Sequence, residues 1–424
     1  MARIIIRNIG PIKNVDINLN KVNVFIGPQS SGKSTIAKII SFCTWFEKNT
    51  ILEAQPDSKF YDKLIEYHNL EDRYFNKDSY IEYTSKHCCI KWSGNNIDDE
   101  EIEVKLSSKN GLFKNRKIIY IPAERNFVTI PGLGKYNESR DNILGFLYDW
   151  FESKQSIGAN TSFKLPIPSI SGISYHYNKE NDIDYITLAD GIDIKLRHAS
   201  SGIMSITPLL VVFDYMNNTI YNKERIKSPF ETINIKSKLE HINEDNRHIL
   251  AKIINELIDI ENKLNYSQVD TKDNLYKLQK QLNAAVGIDS DYCFTETIIE
   301  EPESNLFPAT QRDLIYYIIS SIQNKSRDHQ LILTTHSPFI LFALNNCMMG
   351  SLVRDNIPND KKINFKSVSS WIDPNKVSIY EVYDGELRKI QDKDGIIEDN
   401  YLNQAYKDNS KEYLQLLNYF EDEE

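Results

Sequence analysis

The stretch from Val24 to Ile40, VFIGPQSSGKSTIAKII, constrains the fold more than any other part of the chain. An apolar strand runs into a turn of small residues, and a helix-like run follows at once. Gly27, Gly32, Lys33 and Ser34 have the spacing G-x-x-x-x-G-K-[ST], in the strand-before, helix-after context that this spacing requires. The glycines let the backbone curl so that consecutive N–H groups point inward at an anion, and the helix that follows adds its positive N-terminal end. The segment Gly27, Pro28, Gln29, Ser30, Ser31, Gly32, Lys33, Ser34 and Thr35 is therefore the expected phosphate cradle. In it Lys33 reaches the β- and γ-phosphates, and the Ser34 hydroxyl sits on Mg2+. A phosphate cradle by itself does not separate a kinase, a GTPase, a motor and a transporter, so the rest of the chain has to decide.

Two further strand ends carry chemistry. In TIIEEPESNLFP an apolar strand ends in Glu300 and Glu301. In a parallel sheet the C-terminal strand ends gather at the ligand crevice, so acids there meet phosphates held by the loop. Glu300 is expected to hold Mg2+, directly or through water. Glu301, pointing the other way because side chains alternate along a strand, is expected to orient and polarise the attacking water. In LILTTHSP the arrangement recurs, with His336 at the strand exit. A histidine there can donate to a γ-phosphate or to the attacking water.

The N-terminal residues read as three short strands, RIIIRNI, VDINL and KVNVFIG, with further strands at SYIEYTSK, CCIKW, EIEVKLS and RKIIYIPAERN. Residues 50 to 115 are otherwise polar and mixed. A second block runs from two strands through a turn into the apolar helix SGIMSITPLLVVFDYM. Leu239, Ile242, Ile249, Ile253, Leu257, Ile260 and Leu264, then Leu275, Leu278, Leu282 and Val286, fit two helical stripes. They predict an inserted helical hairpin with arms of roughly 15 to 30 residues, or about 25 to 45 Å. The tail predicts a strand pair around Asp384 and Gly385, then a polar, acidic helix to Glu424. This organisation divides the chain into 1–215 (phosphate loop, β-rich portion and a second helix start), 216–290 (the hairpin) and 291–424 (the acidic strand end, His336, and C-terminal strands and helices).

The 424 residues are 41% hydrophobic and carry a net charge of −10, enough apolar residue for a large core and too acidic for a surface that grips nucleic acid by charge alone. Nucleic acid stays admissible as a partner through a local basic groove. Five cysteines without regular spacing read as reduced thiols. The start MARIIIRNIG is interrupted by Arg7, and no window approaches the roughly 20 apolar residues of a membrane span. The expectation is a soluble, cytoplasmic protein with no membrane partner.

Together, GPQSSGKST, the SSG helix start at Ser200, IIEEPESNLFP and LTTHSPF resemble the ABC-type ATPase heads of the SMC, RecF and OLD (overcoming lysogenization defect) class. Closest are the AAA-family ATPases of bacterial anti-phage systems such as Septu, retron-linked Septu and PARIS. The resemblance covers about residues 1–45, 115–215 and 290–405. It implies an α/β fold: a P-loop NTPase with a central, mostly parallel sheet flanked by helices, an N-terminal antiparallel β portion and the inserted hairpin. It also implies ATP and Mg2+ as cofactors, and a homo-oligomer with ATP sandwiched between heads. By the same resemblance Ser200, Ser201 and Gly202 form the signature turn that contacts ATP held by a second subunit. Ile203 stands where a Gln or Glu is usual, and a plain helix N-cap at Ser200 or Ser201 accounts for the same residues. Ser304 to Pro308 matches the loop that faces the partner subunit. In YIPAERN, either Glu124 or Arg125 senses Mg2+ and the attacking water, or Arg125 forms a buried pair with an acid. The implied activity is an ATP-hydrolysing switch of anti-phage defence. It would control a separate nuclease or toxin, because no Toprim domain follows Pro338. The competing expectations are a RecF-like DNA repair or recombination ATPase that binds DNA directly, and a module that holds ATP without turnover.

Overall fold

The computed structural model describes residues 2–53, 59–96, 102–107, 113–130, 142–157, 161–221, 289–323 and 326–420. The predicted helical hairpin lies almost wholly outside these residues, as does the acidic end from Glu421 to Glu424.

The N-terminal hairpin strands β1 (Arg3–Ile9) and β2 (Ile12–Asn18) precede the loop strand β3 (Val22–Ile26). Next come the helices α1 (Lys33–Glu53) and α2 (Phe60–His68), then strands β4 (Tyr80–Thr84), β5 (Cys88–Ser93), β6 (Ile102–Leu106) and β7 (Lys114–Ile121). Helix α3 (Asn142–Ser156) leads to short strands β8 (Phe163–Lys164), β9 (Ser174–Asn178), β10 (Ile183–Thr187) and β11 (Asp193–Lys195), and to helix α4 (Ser201–Asn217). The C-terminal part contributes β12 (Asp289–Glu300), α5 (Pro308–Ile322), β13 (Gln330–Thr335), α6 (Pro338–Leu352), α7 (Asn359–Lys362), β14 (Val377–Tyr383), β15 (Glu386–Lys389) and α8 (Tyr401–Leu417).

Eleven strands form one sheet in the order β6-β5-β4-β1-β2-β15-β14-β3-β13-β12-β7. Its functional half, β14-β3-β13-β12-β7, is parallel throughout, whereas β1, β2, β4, β5 and β6 pair antiparallel. The α/β class with a parallel core and an N-terminal antiparallel portion is thus the architecture of the chain. Strand β3 sits between β13 and β14, so the segments before and after the predicted insert interleave in a single sheet. A smaller antiparallel sheet, β11-β10-β9-β8, packs beside α3.

The parallel strands are apolar on both faces because both faces are covered. Val22, Val24 and Ile26 of β3 point into one core with α4, α5 and α6, while Phe25 points into the other with α1 and the antiparallel strands. Helix α2 and helix α3 were not evident in the sequence. The first buries Phe60, Tyr61, Leu64 and His68 against the second core within a stretch whose composition reads as polar. The C-terminal helix ends at Leu417, short of the extension to Glu424 expected from composition. No helix among the described residues is long and apolar enough to cross a membrane.

Candidate nucleotide site

Strand register assembles the site. Thr335 lies opposite Ile26 across β13 and β3, and Glu300 lies opposite Thr334 across β12 and β13. The residues just past these strand ends, Gly27, Glu301 and His336, are therefore neighbours in space although far apart in sequence. The turn after β12 is fixed by a backbone bond from the Glu301 N–H to the Thr334 carbonyl, 2.9 Å. Glu301 itself has φ +42°, a left-handed conformation rare for a residue with a side chain and costly unless its surroundings impose it.

Within the loop, Gly27 has φ +153° and a Cβ there would lie 2.7 Å from the Val382 carbonyl oxygen, so only glycine fits. Ser30 is also left-handed, at φ +59°. Pro28, Gln29, Ser30 and Ser34 are exposed at the loop surface, Ser31 is partly so, and Thr35 is buried at the start of α1. The Lys33 ammonium is buried and donates to the Gly27 carbonyl at 3.0 Å and the Pro28 carbonyl at 2.7 Å. Burial lowers its pKa to about 8, against the opposing pull of Glu301 and Glu303.

His336 Nε2 lies 3.6 Å from Glu301 Oε1, and its ring also contacts the Gly27 backbone. Burial, helped by the nearby Lys33 charge, lowers the His336 pKa, so the imidazole is neutral near pH 7 with one N–H to donate. The Glu301 side chain keeps 40% of its surface exposed, open to water. Glu300 is only 6% exposed, and its Oε1 makes no hydrogen bond within the described residues. A hydroxyl (Ser34) and a buried carboxylate (Glu300) are a donor set suited to Mg2+, a hard cation.

Three further residues complete the surroundings, and two of them, Glu303 and Tyr401, were not marked by the sequence. Glu303 accepts from the His336 N–H at 2.6 Å and from the Thr335 hydroxyl at 2.8 Å, which fixes the histidine loop. Burial raises the Glu303 pKa despite these bonds. Tyr401, the first residue of α8, donates its N–H to Glu381 Oε1 at 3.0 Å, and Glu381 lies opposite Ile26, the residue before Gly27. Arg125 is the third. Of the two roles expected for it, the buried pair with an acid is not what the structure has. Its guanidinium is 0% exposed and donates to five carbonyls: Ser205 (3.1 Å), Pro122 (3.3 Å), Glu300 (3.1 Å), Glu301 (3.2 Å) and Pro302 (3.3 Å). It ties the strained turn at Glu301 to α4 and to the end of β7. Burial lowers its pKa to about 10, partly offset by the surrounding glutamates. Glu124 beside it is exposed.

Ser200 caps α4 by accepting from the Ile203 N–H at 3.4 Å, and Ser200 and Ser201 are exposed. Gly202 packs against the turn after β12, where a Cβ would lie 2.9 Å from the Asn305 carbonyl oxygen. Gly202 thus sits against Asn305 and Leu306. In the loop from Ser304 to Pro308, Phe307 is 75% exposed.

The segment 295–341, which carries Glu300, Glu301 and His336, matches the AAA ATPase domain family. No curated protein matches the sequence. Among solved structures the chain is similar to the SMC head domain from Thermotoga maritima, at 11% identity, covering 80% of this chain and 90% of that one, with a TM-score of 0.34. A Smc head domain with an extended coiled coil, bound to the C-terminal domain of ScpA derived from Pyrococcus furiosus, gives 11% identity, 92% and 96% coverage and a TM-score of 0.34. The recombination mediator protein RecF gives 10% identity, 92% and 97% coverage and a TM-score of 0.30. At these scores the fold rests on the chain's own topology and register.

Proposed function

We propose that the chain is a Mg2+-dependent ATPase that works as a switch, and that it belongs to bacterial anti-phage defence, controlling a separate nuclease or toxin. The observation that carries the ATPase reading is the convergence of Lys33, Glu301 and His336 on Gly27 at the ends of three adjacent parallel strands. The match of residues 295–341 to an AAA ATPase domain supports the same reading.

Lys33 supplies the fixed cation of the cradle. Glu301, open to water and steadied by His336, is the group placed to accept a proton from an attacking water. His336 donates its N–H toward the terminal phosphate or that water. Ser34 and Glu300 would hold Mg2+, which when bound neutralises charge between the phosphates. The exposed turn at Ser200, Ser201 and Gly202 offers hydroxyls and N–H groups to an anion outside its own subunit, which supports a homo-oligomer with ATP between heads. The defence role rests on the resemblance of GPQSSGKST, IIEEPESNLFP and LTTHSPF to the ATPases of such systems.

The test of the chemistry is Glu301→Gln. The variant should bind Mg·ATP as tightly as the parent while turnover falls at least about 10²-fold, the usual worth of a positioned base; unchanged turnover would remove Glu301 from the reaction. For the switch, purification from the native operon should retain a separate nuclease or toxin polypeptide. A chain that purifies alone and binds duplex ends in an ATP-dependent way would support the RecF-like repair reading instead.

A further inference from the structure

Strand register places a second polar group behind Glu300. Tyr120 lies opposite Ile298 across β7 and β12, so its side chain shares a sheet face with Glu300, two residues further on. Both side chains are buried, Glu300 at 6% and Tyr120 at 5% exposed. The Tyr120 hydroxyl and Glu300 Oε1 each lack a completed hydrogen bond among the described residues. Buried polar atoms without partners are uncommon, and two that neighbour each other call for an explanation. A phenol carries its proton near neutral pH, and a carboxylate has only acceptor oxygens, so the Tyr120 hydroxyl can only donate to Glu300.

On the other side of Tyr120 lies His68, the last residue of α2, with ring centroids 5.1 Å apart. His68 is 0% exposed, its two ring nitrogens have no partner among the described residues, and burial holds its pKa well below normal. The neutral ring backs the tyrosine and makes no hydrogen bond to its hydroxyl.

We propose that Tyr120 is a positioning residue of the magnesium site: its hydroxyl donates to Glu300 Oε1 and leaves the other carboxylate oxygen for the cation beside Ser34. This rests on the ATPase reading above. Groups that orient a metal-binding carboxylate typically change metal affinity about 10- to 100-fold when removed.

The test is binding of a fluorescent, non-hydrolysable ATP analogue, titrated with Mg2+ and separately in EDTA, for the parent, Tyr120→Phe and His68→Phe. Tyr120→Phe keeps the ring and deletes one atom that has no other partner, so it should fold. The expected result is a rise of at least about tenfold in the Mg2+ concentration for half-saturation, with affinity in EDTA unchanged and His68→Phe within about twofold of the parent. A parental magnesium dependence in Tyr120→Phe overturns the proposal. So does an equal shift in His68→Phe, which would mean looser packing behind the strand. If the parent shows no magnesium-dependent binding at all, the ATPase reading falls and this inference with it; if the parent binds normally and only the Tyr120→Phe shift is missing, the ATPase reading stands.

Discussion

Arg125→Lys is the substitution that best exposes how the turn after β12 is held. The native guanidinium satisfies five carbonyls drawn from three segments, the end of β7, the turn after β12 and α4. A lysine keeps the positive charge but offers three donors on one atom, so at least two of those carbonyls lose their charged partner. Hydrogen bonds to a charged group are worth about 1.5–3 kcal/mol each, which sets the loss at about 3–6 kcal/mol before the surroundings relax. Set against a total stability of about 5–15 kcal/mol, that should lower Tm by about 5 °C or more. The functional loss should be larger than the stability loss suggests, because three of the five carbonyls belong to Glu300, Glu301 and Pro302. A displacement of about 1 Å at a catalytic group costs about 10²-fold in rate. Thermal denaturation, ATP turnover and nucleotide affinity measured on one preparation separate these effects. Turnover should fall by about that factor while affinity, set chiefly by the Lys33 loop, changes little. A variant with parental Tm and parental turnover would refute the view that Arg125 holds the turn.

Other consequences follow from the same geometry. Because the Lys33 pKa is lowered to about 8, its cation is progressively lost above that pH, and affinity for ATP should fall by up to about tenfold per pH unit there. Titration from about pH 7 to about pH 9.5 checks this, and Lys33→Met should abolish the dependence. The sign for stability is opposite. Between the folded pKa near 8 and the ordinary lysine value of 10.5 the unfolded chain binds the extra proton, so the Lys33 contribution to stability rises with pH in that window. Gly202→Ala puts a Cβ 2.9 Å from the Asn305 carbonyl oxygen and must displace the helix start from the turn it packs against. Its turnover should drop at least about tenfold with nucleotide affinity intact, and an unchanged turnover would remove this turn from the reaction.

Much of the candidate site could be read in the sequence because its parts are local. The loop glycines, the apolar strand into Glu300 and Glu301, and the apolar strand into His336 each announce themselves within about ten residues. Their proximity follows from the rule that ligands gather at the C-terminal ends of parallel strands, and the observed register of β12, β13 and β3 has them side by side. What stayed hidden depends on contacts between distant segments. Glu303 looks like the third acid of a polar turn until the left-handed Glu301 swings it under the His336 N–H. Arg125 looks like the partner of an acid, because nothing in YIPAERN shows that five carbonyls converge on it. Tyr401 sits in a tail whose composition suggests only a solvated helix, and its place follows from Glu381, opposite Ile26. Helix α2 was missed because its nine residues hold four charged or histidine side chains, and only packing on α1 and β5 makes its apolar side decisive.

The most direct test of the central claim is a structure of the protein with Mg2+ and a non-hydrolysable ATP analogue. The account predicts one triphosphate wrapped by Gly27 to Thr35, with its terminal phosphate within hydrogen-bond reach of both Lys33 Nζ and His336 and with Glu301 facing it. A triphosphate bound elsewhere, or one in this loop with Glu301 and His336 turned away from it, would contradict the account.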